Sequence, residues 1–269
     1  MRTLSLLLTL SALVACGDKD DDDDDDDGGS DSGADGGAGD GGAGDGGAGD
    51  GGAGDGGAGD GGASGSACPD YMGLGAVGAW REYQTTASYE AEYGISGSYT
   101  TEVESISGAV VRARMESDYR YGDGGRALTT ATYEYRCDGD GAAMTVYLAE
   151  GSYDGPSTDY AWSQETDYSD PYLSVIPGIE EGTTWTDTWA SSTSSWNSLS
   201  GTSSSSATGS TSYRAGAERS VTVPAGTFTT RRFEATTTTG GASSTSAWQA
   251  DRDLGQVQSD YFELVAYGG

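Results

Sequence analysis

Between Val111 and Tyr121 the chain alternates with period two. Val111, Ala113, Met115, Ser117, Tyr119 and Tyr121 are apolar or small, whereas Arg112, Arg114, Glu116, Asp118 and Arg120 are charged. Such alternation predicts a strand with one buried and one wet face. Residues 127–137 repeat it, placing Ala131, Tyr133, Tyr135 and Cys137 on one side and Glu134 and Arg136 on the other. Asp123-Gly124-Gly125 between the two runs is a hairpin turn signal. Tyr99, Thr101 and Val103 oppose Glu102 and Glu104 in the same way. Further strands are predicted over 80–86, 183–190, 220–223, 228–238, 245–250 and 256–266, and 142–150 is the only segment where helical spacing competes. Short turns join neighbouring runs, so the prediction is an all-β domain built from an antiparallel sheet.

Two segments interrupt the alternation. Residues 151–177 hold Pro156, Pro171 and Pro177 among polar residues and read as a long connection across one end of the sheet. Residues 190–212 carry 16 Ser or Thr in 23 positions, with Trp196 and Leu199 the only large apolar side chains. They read either as a loop or as a protruding hairpin.

The first 66 residues follow a different rule. An apolar run from Leu4 to Val14 follows Arg2 and ends in Leu13-Val14-Ala15-Cys16. Eleven residues fall short of the roughly 20 that a membrane helix needs, so the run reads as an export signal. The four residues at its end resemble the bacterial lipobox. That resemblance implies cleavage before Cys16, a diacylglycerol thioether on its sulfur and an acylated new amine. It implies a signal peptide over 1–15 and a mature protein held on the cell membrane or outer membrane, facing the periplasm or the exterior. Two or three acyl chains give stable anchorage where one is marginal. Residues 17–66 contain an unbroken acidic run, Asp20 to Asp27, and a G-G-A-G-D repeat with Asp35, Asp40, Asp45, Asp50, Asp55 and Asp60. With nothing apolar beyond Ala, the segment has no surface whose burial offsets ordering entropy, and it reads as a disordered spacer. As a Gly-rich coil it would span about 35–42 Å. A calcium β-roll would need a nine-residue repeat with an apolar residue after the Asp, and this repeat has neither.

Composition excludes whole classes of chemistry. The net charge is −30, of which 17–66 contributes −15 and the remainder from residue 67 contributes −16, with Arg2 supplying +1. A polyanion such as nucleic acid would be repelled. The chain has no His and a single Lys, Lys19, which removes His-based triads, His-ligated zinc and Schiff-base lysines. No cofactor is expected. Gly73 to Gly78 spells G-x-G-x-x-G, but no strand precedes it and a strand rather than a helix follows, so it reads as a lead-in. Asp138-Gly139-Asp140-Gly141 lacks the Gly and Glu that a calcium-binding EF-hand needs at positions six and twelve, and reads as a tight turn. Among enzymes, glycoside hydrolysis survives the census because it needs only two carboxylates. Glu102 and Glu104 are the candidates, on the face opposite Tyr99 and Val103.

With Cys16 committed to lipid, Cys68 and Cys137 remain. In an oxidising compartment the pair reads as a disulfide closing a loop of about 70 residues, worth on the order of 4 kcal/mol. The alternative is a pair of buried thiols. The domain from 67 to 269 also carries a resemblance. Pro177, Gly182-Thr183-Thr184-Trp185, Val223-Pro224-Ala225-Gly226-Thr227-Phe228, Trp248-Gln249-Ala250 and Gly255-Gln256-Val257 follow in that order. Their sequence resembles a family of exported bacterial β domains of unknown function. The resemblance implies a single strongly curved antiparallel sheet, similar to the half-barrels of lipoprotein carriers, and no catalytic residue. The resulting expectation is a non-catalytic, lipid-anchored envelope protein, with an envelope protein, a glycan or a lipid as ligand. A carboxylate-based glycan hydrolase and a purely structural surface module are the alternatives.

Overall fold

The computed structural model describes residues 68–269. The signal peptide, Cys16 and the spacer lie outside the described residues. Twelve strands and one short helix follow in order: β1 (Trp80–Thr85), α1 (Ala87–Tyr93), β2 (Ile95–Ser107), β3 (Val110–Tyr121), β4 (Arg126–Asp138), β5 (Gly141–Asp154), β6 (Asp159–Val175), β7 (Thr184–Asn197), β8 (Gly201–Val223), β9 (Gly226–Thr239), β10 (Ala242–Asp251), β11 (Gly255–Ser259) and β12 (Phe262–Gly268). Each strand pairs antiparallel with its neighbours in sequence, and β1 also pairs with β12. The sheet is single, antiparallel and curved far enough to close into a barrel.

Alternation explains most of this. In β3, Val111, Ala113, Met115, Ser117 and Tyr119 are buried and the intervening Arg112, Arg114, Glu116 and Arg120 are exposed. Residues 142–150, where helical spacing competed, are strand β5. Residues 256–266 form two strands, because the Ser259 hydroxyl accepts from the backbone N–H groups of Tyr261 (3.3 Å) and Phe262 (3.1 Å) and turns the chain.

Residues 151–177 are not a long connection. They complete β5 and form β6, a strand of 17 residues. The prolines mislead because the register skips where they fall. On β5 the pairing jumps between Met144 and Val146, and on β6 it passes from Tyr172 to Asp167. Pro171 sits in that gap, where no ladder partner needs its missing N–H. The segment 190–212 forms the hairpin of β7 and β8, turned at residues 198–200, where the Asn197 side chain accepts from the Leu199 N–H at 2.9 Å. Within it, residues 201–208 of β8 extend beyond the ladder with β9, which begins at Gly209 opposite Thr239.

Register breaks recur at Val103/Ser105, Glu134/Tyr135, Met144/Val146 and Tyr168/Asp170. Bulges bend strands and tighten twist. Further breaks at Glu82/Tyr83, Gln249/Ala250 and Ala215/Glu218 spread such bending around the barrel.

The barrel interior is aromatic. Tyr83 stacks on Tyr99 with centroids 4.6 Å apart, and Tyr99 meets the Phe262 edge at 4.9 Å. Met115, Tyr119, Tyr147, Val257 and Leu264 belong to the same cluster. A second cluster stacks Trp185 on Tyr213 at 4.7 Å and Phe233 on Trp248 at 5.5 Å. Most outward positions carry charge or hydroxyls instead. A lipid-facing barrel has the opposite arrangement, apolar outside and polar inside.

Both ends are partly covered. At one end the lead-in 68–79 packs Tyr71 against Phe233 (5.2 Å) and buries Leu74 beside Val103 and Val111. The Arg81 guanidinium reaches up from β1 and donates to the carbonyls of Leu254 (2.9 Å) and Met72 (3.3 Å). The Cys68 and Cys137 sulfurs lie at bonding distance, with Cα atoms 4.5 Å apart, pinning the lead-in to β4. At the other end stands α1. Thr86 caps its N-terminus by accepting from the Tyr89 N–H, and Gly94 at φ 65° closes its C-terminus onto the Glu90 carbonyl at 2.9 Å. Its buried Tyr89 touches Tyr261 and Phe262.

Candidate functional site

The surface that stands out is on the outer face of β2 to β8. Register places Thr100, Glu116, Thr130, Glu150, Ser163, Trp196 and Thr202 in one row, each opposite the next across adjacent strands. Seven strands at about 4.8 Å spacing make this row about 29 Å long. A groove of about 750 Å³ follows it from Ser98 and Thr100 to Trp196, and a second hollow of about 370 Å³ continues past Trp196 to Thr202. Trp196 therefore stands between the two, with 44% of its surface exposed.

Each functional side chain is positioned by the alternation of its strand. Glu150 faces outward because Ala149 and Tyr147 on β5 are buried. Glu165 faces outward because Thr166 turns inward to the Thr193 hydroxyl at 3.0 Å. Trp196 faces outward because Ser195 and Asn197 alternate with it on a strand whose inward positions here are hydroxyls and amides rather than apolar groups. Leu128 (40% exposed) and Leu148 (38%) flank the row on either side. Most large apolar side chains of this sheet are inside, so three outward ones around one groove are a distinct feature.

Its electrostatics are acidic. Glu116, Asp118, Glu150 and Glu165 line the groove. Arg126 holds Asp118 with two hydrogen bonds, 2.8 Å from Nε and 2.7 Å from Nη2, and these bonds push the Asp118 carboxyl below its usual range. Glu116 pairs with Arg114. Among the described residues Glu150 and Glu165 have no cationic partner. They sit on neighbouring strands in diagonal register, since Glu150 opposes Ser163 and Leu148 opposes Glu165. Diagonal residues lie roughly 7–8 Å apart.

The candidates read from the sequence fall elsewhere. Glu102 and Glu104 are both exposed, as their strand face predicts. Glu102 opposes Arg114 on β3, and Glu104 falls at the register break between Val103 and Ser105. Neither lines the groove. Glu180 and Glu181 are exposed in the connection before β7. The G-x-G-x-x-G stretch from Gly73 to Gly78 is part of the packed lead-in: Leu74 within it is buried, and β1 follows at Trp80. The turn at residues 138–141 joins β4 to β5. No group of three or more metal-ligating side chains occurs among the described residues. Of the groove residues, only Trp196 carried a sequence signal, as a large apolar side chain in a Ser/Thr-rich run. The carboxylates beside it are brought there by the register of the consecutive strands β5, β6 and β7.

Comparison with family models, with curated proteins and with solved structures finds no match to this chain.

Proposed function

We propose that this chain is a non-catalytic, lipid-anchored protein of the cell envelope whose barrel is a binding domain, and that the ligand is held on the outer-face groove around Trp196. The observation that carries the reading is the contrast between the two faces. The interior is occupied by the protein's own aromatic side chains, whereas the groove exposes an indole, two leucines and two carboxylates that have no cationic partner among the described residues. An apolar ligand held inside the sheet, as in a carrier half-barrel, is the less supported choice for the same reason. The export signal, the lipobox-like Cys16 and the acidic spacer support the location at the envelope. The absence of His and of any Lys beyond Lys19 supports the non-catalytic assignment. Fractionation tests the location: the wild-type chain is expected in the membrane fraction, and Cys16→Ser in the soluble one. Wild-type and Cys16→Ser chains distributing alike would refute the anchor. Capture of envelope material by immobilised protein tests the groove, with loss expected in Trp196→Ala.

A second reading has one observation in its favour. Glu150 and Glu165 are diagonal neighbours facing outward on adjacent strands, and an inverting glycosidase needs two carboxylates about 6.5–9.5 Å apart. They replace Glu102 and Glu104 as candidates. Release of reducing ends from a polysaccharide, abolished by either Glu150→Gln or Glu165→Gln, would establish it.

A further inference from the structure

We infer that the groove takes a glycan strand lacking anionic groups, with a pyranose ring stacked on Trp196 and its hydroxyls donating to Glu150 and Glu165. The inference rests on the groove being the binding surface and names the chemistry that fits it.

Four features converge on that class. The apolar elements are isolated: Trp196, Leu128 and Leu148 are interleaved with Ser98, Thr100, Thr130, Thr132, Ser163 and Ser194. A protein interface places its apolar anchors in a contiguous, water-excluding patch. A sugar ring has a C–H face bordered by hydroxyls, which matches an indole bordered by polar side chains. Second, Glu150 and Glu165 lack a cationic partner among the described residues, so their oxygens are available to hydroxyl donors. Hydrogen bonds to a carboxylate are shorter and stronger than those between neutral groups. Third, the sign of the charge selects. The chain from residue 67 carries −16, which repels uronate or phosphate polymers and leaves neutral or amine-bearing sugars. Fourth, the groove is elongated. It crosses β2 to β8 and continues on both sides of Trp196, the shape of a site for several consecutive rings rather than for one small molecule.

The hydroxyls lining the groove suit repeated weak recognition. On the same hairpin Ser195, which alternates with Trp196, pairs with Ser203 across β7 and β8 at 2.9 Å. Such pairing fixes the hairpin that carries Trp196, so the indole is presented on a stiff strand rather than on a loop.

The test is a fluorescence titration of the full chain in detergent. The probes are neutral hexasaccharides of β-linked glucose and of β-linked N-acetylglucosamine, a deacetylated chito-hexaose and, as the polyanion, an oligo-uronate. One of the first three is expected to change tryptophan emission, with affinity falling about ten-fold in Trp196→Ala. Glu150→Gln is expected to weaken binding several-fold, and Tyr267→Ala, an exposed aromatic on β12, to leave it unchanged. Circular dichroism of each variant separates loss of binding from loss of fold. Binding of the oligo-uronate alone, or equal affinities for wild type and Trp196→Ala, would overturn the inference. If Trp196→Ala abolishes capture of envelope material while no hexasaccharide binds, the glycan assignment fails and the groove stands. If Trp196→Ala captures as the wild type does, the groove fails as well.

Discussion

Three residues show how single positions are set by what surrounds them. Asp187 faces into the barrel between Trp185 and Trp189 and accepts from the Leu173 N–H at 2.8 Å. Desolvation raises its pKa above the usual carboxylate range, against the pull of that hydrogen bond, and the nearby Asp170 adds to the rise. A raised folded-state pKa means that stability is complete below the unfolded value of about 3.9 and is lost as pH climbs through the folded one. Asp187→Asn keeps an acceptor for Leu173 and cannot ionise. It is expected to raise the thermal midpoint at neutral pH by a few degrees, with wild type and variant converging in acid; a lower midpoint at neutral pH would contradict this account. Gly73 has φ +63°, and a Cβ there would collide with the Arg81 guanidinium and the Leu254 carbonyl. Gly73→Ala is therefore expected to cost on the order of 1–3 kcal/mol in denaturant titration. Arg231 is 9% exposed and donates to Tyr71 (3.2 Å), Gly216 (2.9 Å) and Glu218 (2.9 Å), joining lead-in, β8 bulge and β9.

Among the elements, the lead-in is the one whose hold is most easily tested. Cys68 and Cys137 are 69 residues apart, and loss of a bond closing such a loop costs up to about 4 kcal/mol in the chain-entropy picture. With Cys68 and Cys137 both replaced by Ser, amide exchange is expected to rise first at residues 70–79, before that of β3 to β5. Uniform exchange across the barrel would show instead that the lead-in and sheet open together. Period-two alternation made β3, β4 and the outward face of Glu102 legible, because one wet and one dry face leaves a direct trace in sequence. It failed at β6, where Pro171 looks like a breaker until the register gap opposite it is known. It also could not yield the groove. Alternation assigns a face to Glu150, Ser163 and Trp196, but which residues of that face stand opposite one another is fixed by bulges on several strands together. α1 was missed because seven residues are too few for a helical stripe and its only buried side chain is Tyr89.

For the molecule as a whole, the aromatic interior sets behaviour in alkali. Burial pushes Tyr83 up to about 12, and burial reinforced by neighbouring phenols pushes Tyr121 up to about 12. Burial also raises Tyr99, Tyr119, Tyr133 and Tyr135. Unfolded phenols ionise near pH 10, so stability is intact below that value and declines above it. Tyrosinate absorbance is expected to rise in two phases: exposed rings near pH 10, then a cooperative phase coinciding with loss of the β-sheet circular dichroism signal. A single smooth titration near pH 10 would mean that the rings are open to water. Trp196 lies near the end of β7 that carries the β7–β8 turn, while Cys68 is joined to β4 next to the β4–β5 turn. Strand direction puts these turns at opposite ends of the barrel, so the groove reaches toward the end opposite residue 68.

The Cys68–Cys137 link also decides how a pull applied at residue 68 is borne. Force arriving at residue 68 crosses into β4, a strand hydrogen-bonded along both edges, rather than into β1. The six residues of β1 are then not peeled from β12 one bond at a time. A pull at residue 68 would therefore load the interior of the sheet and leave the seam between β1 and β12 closed.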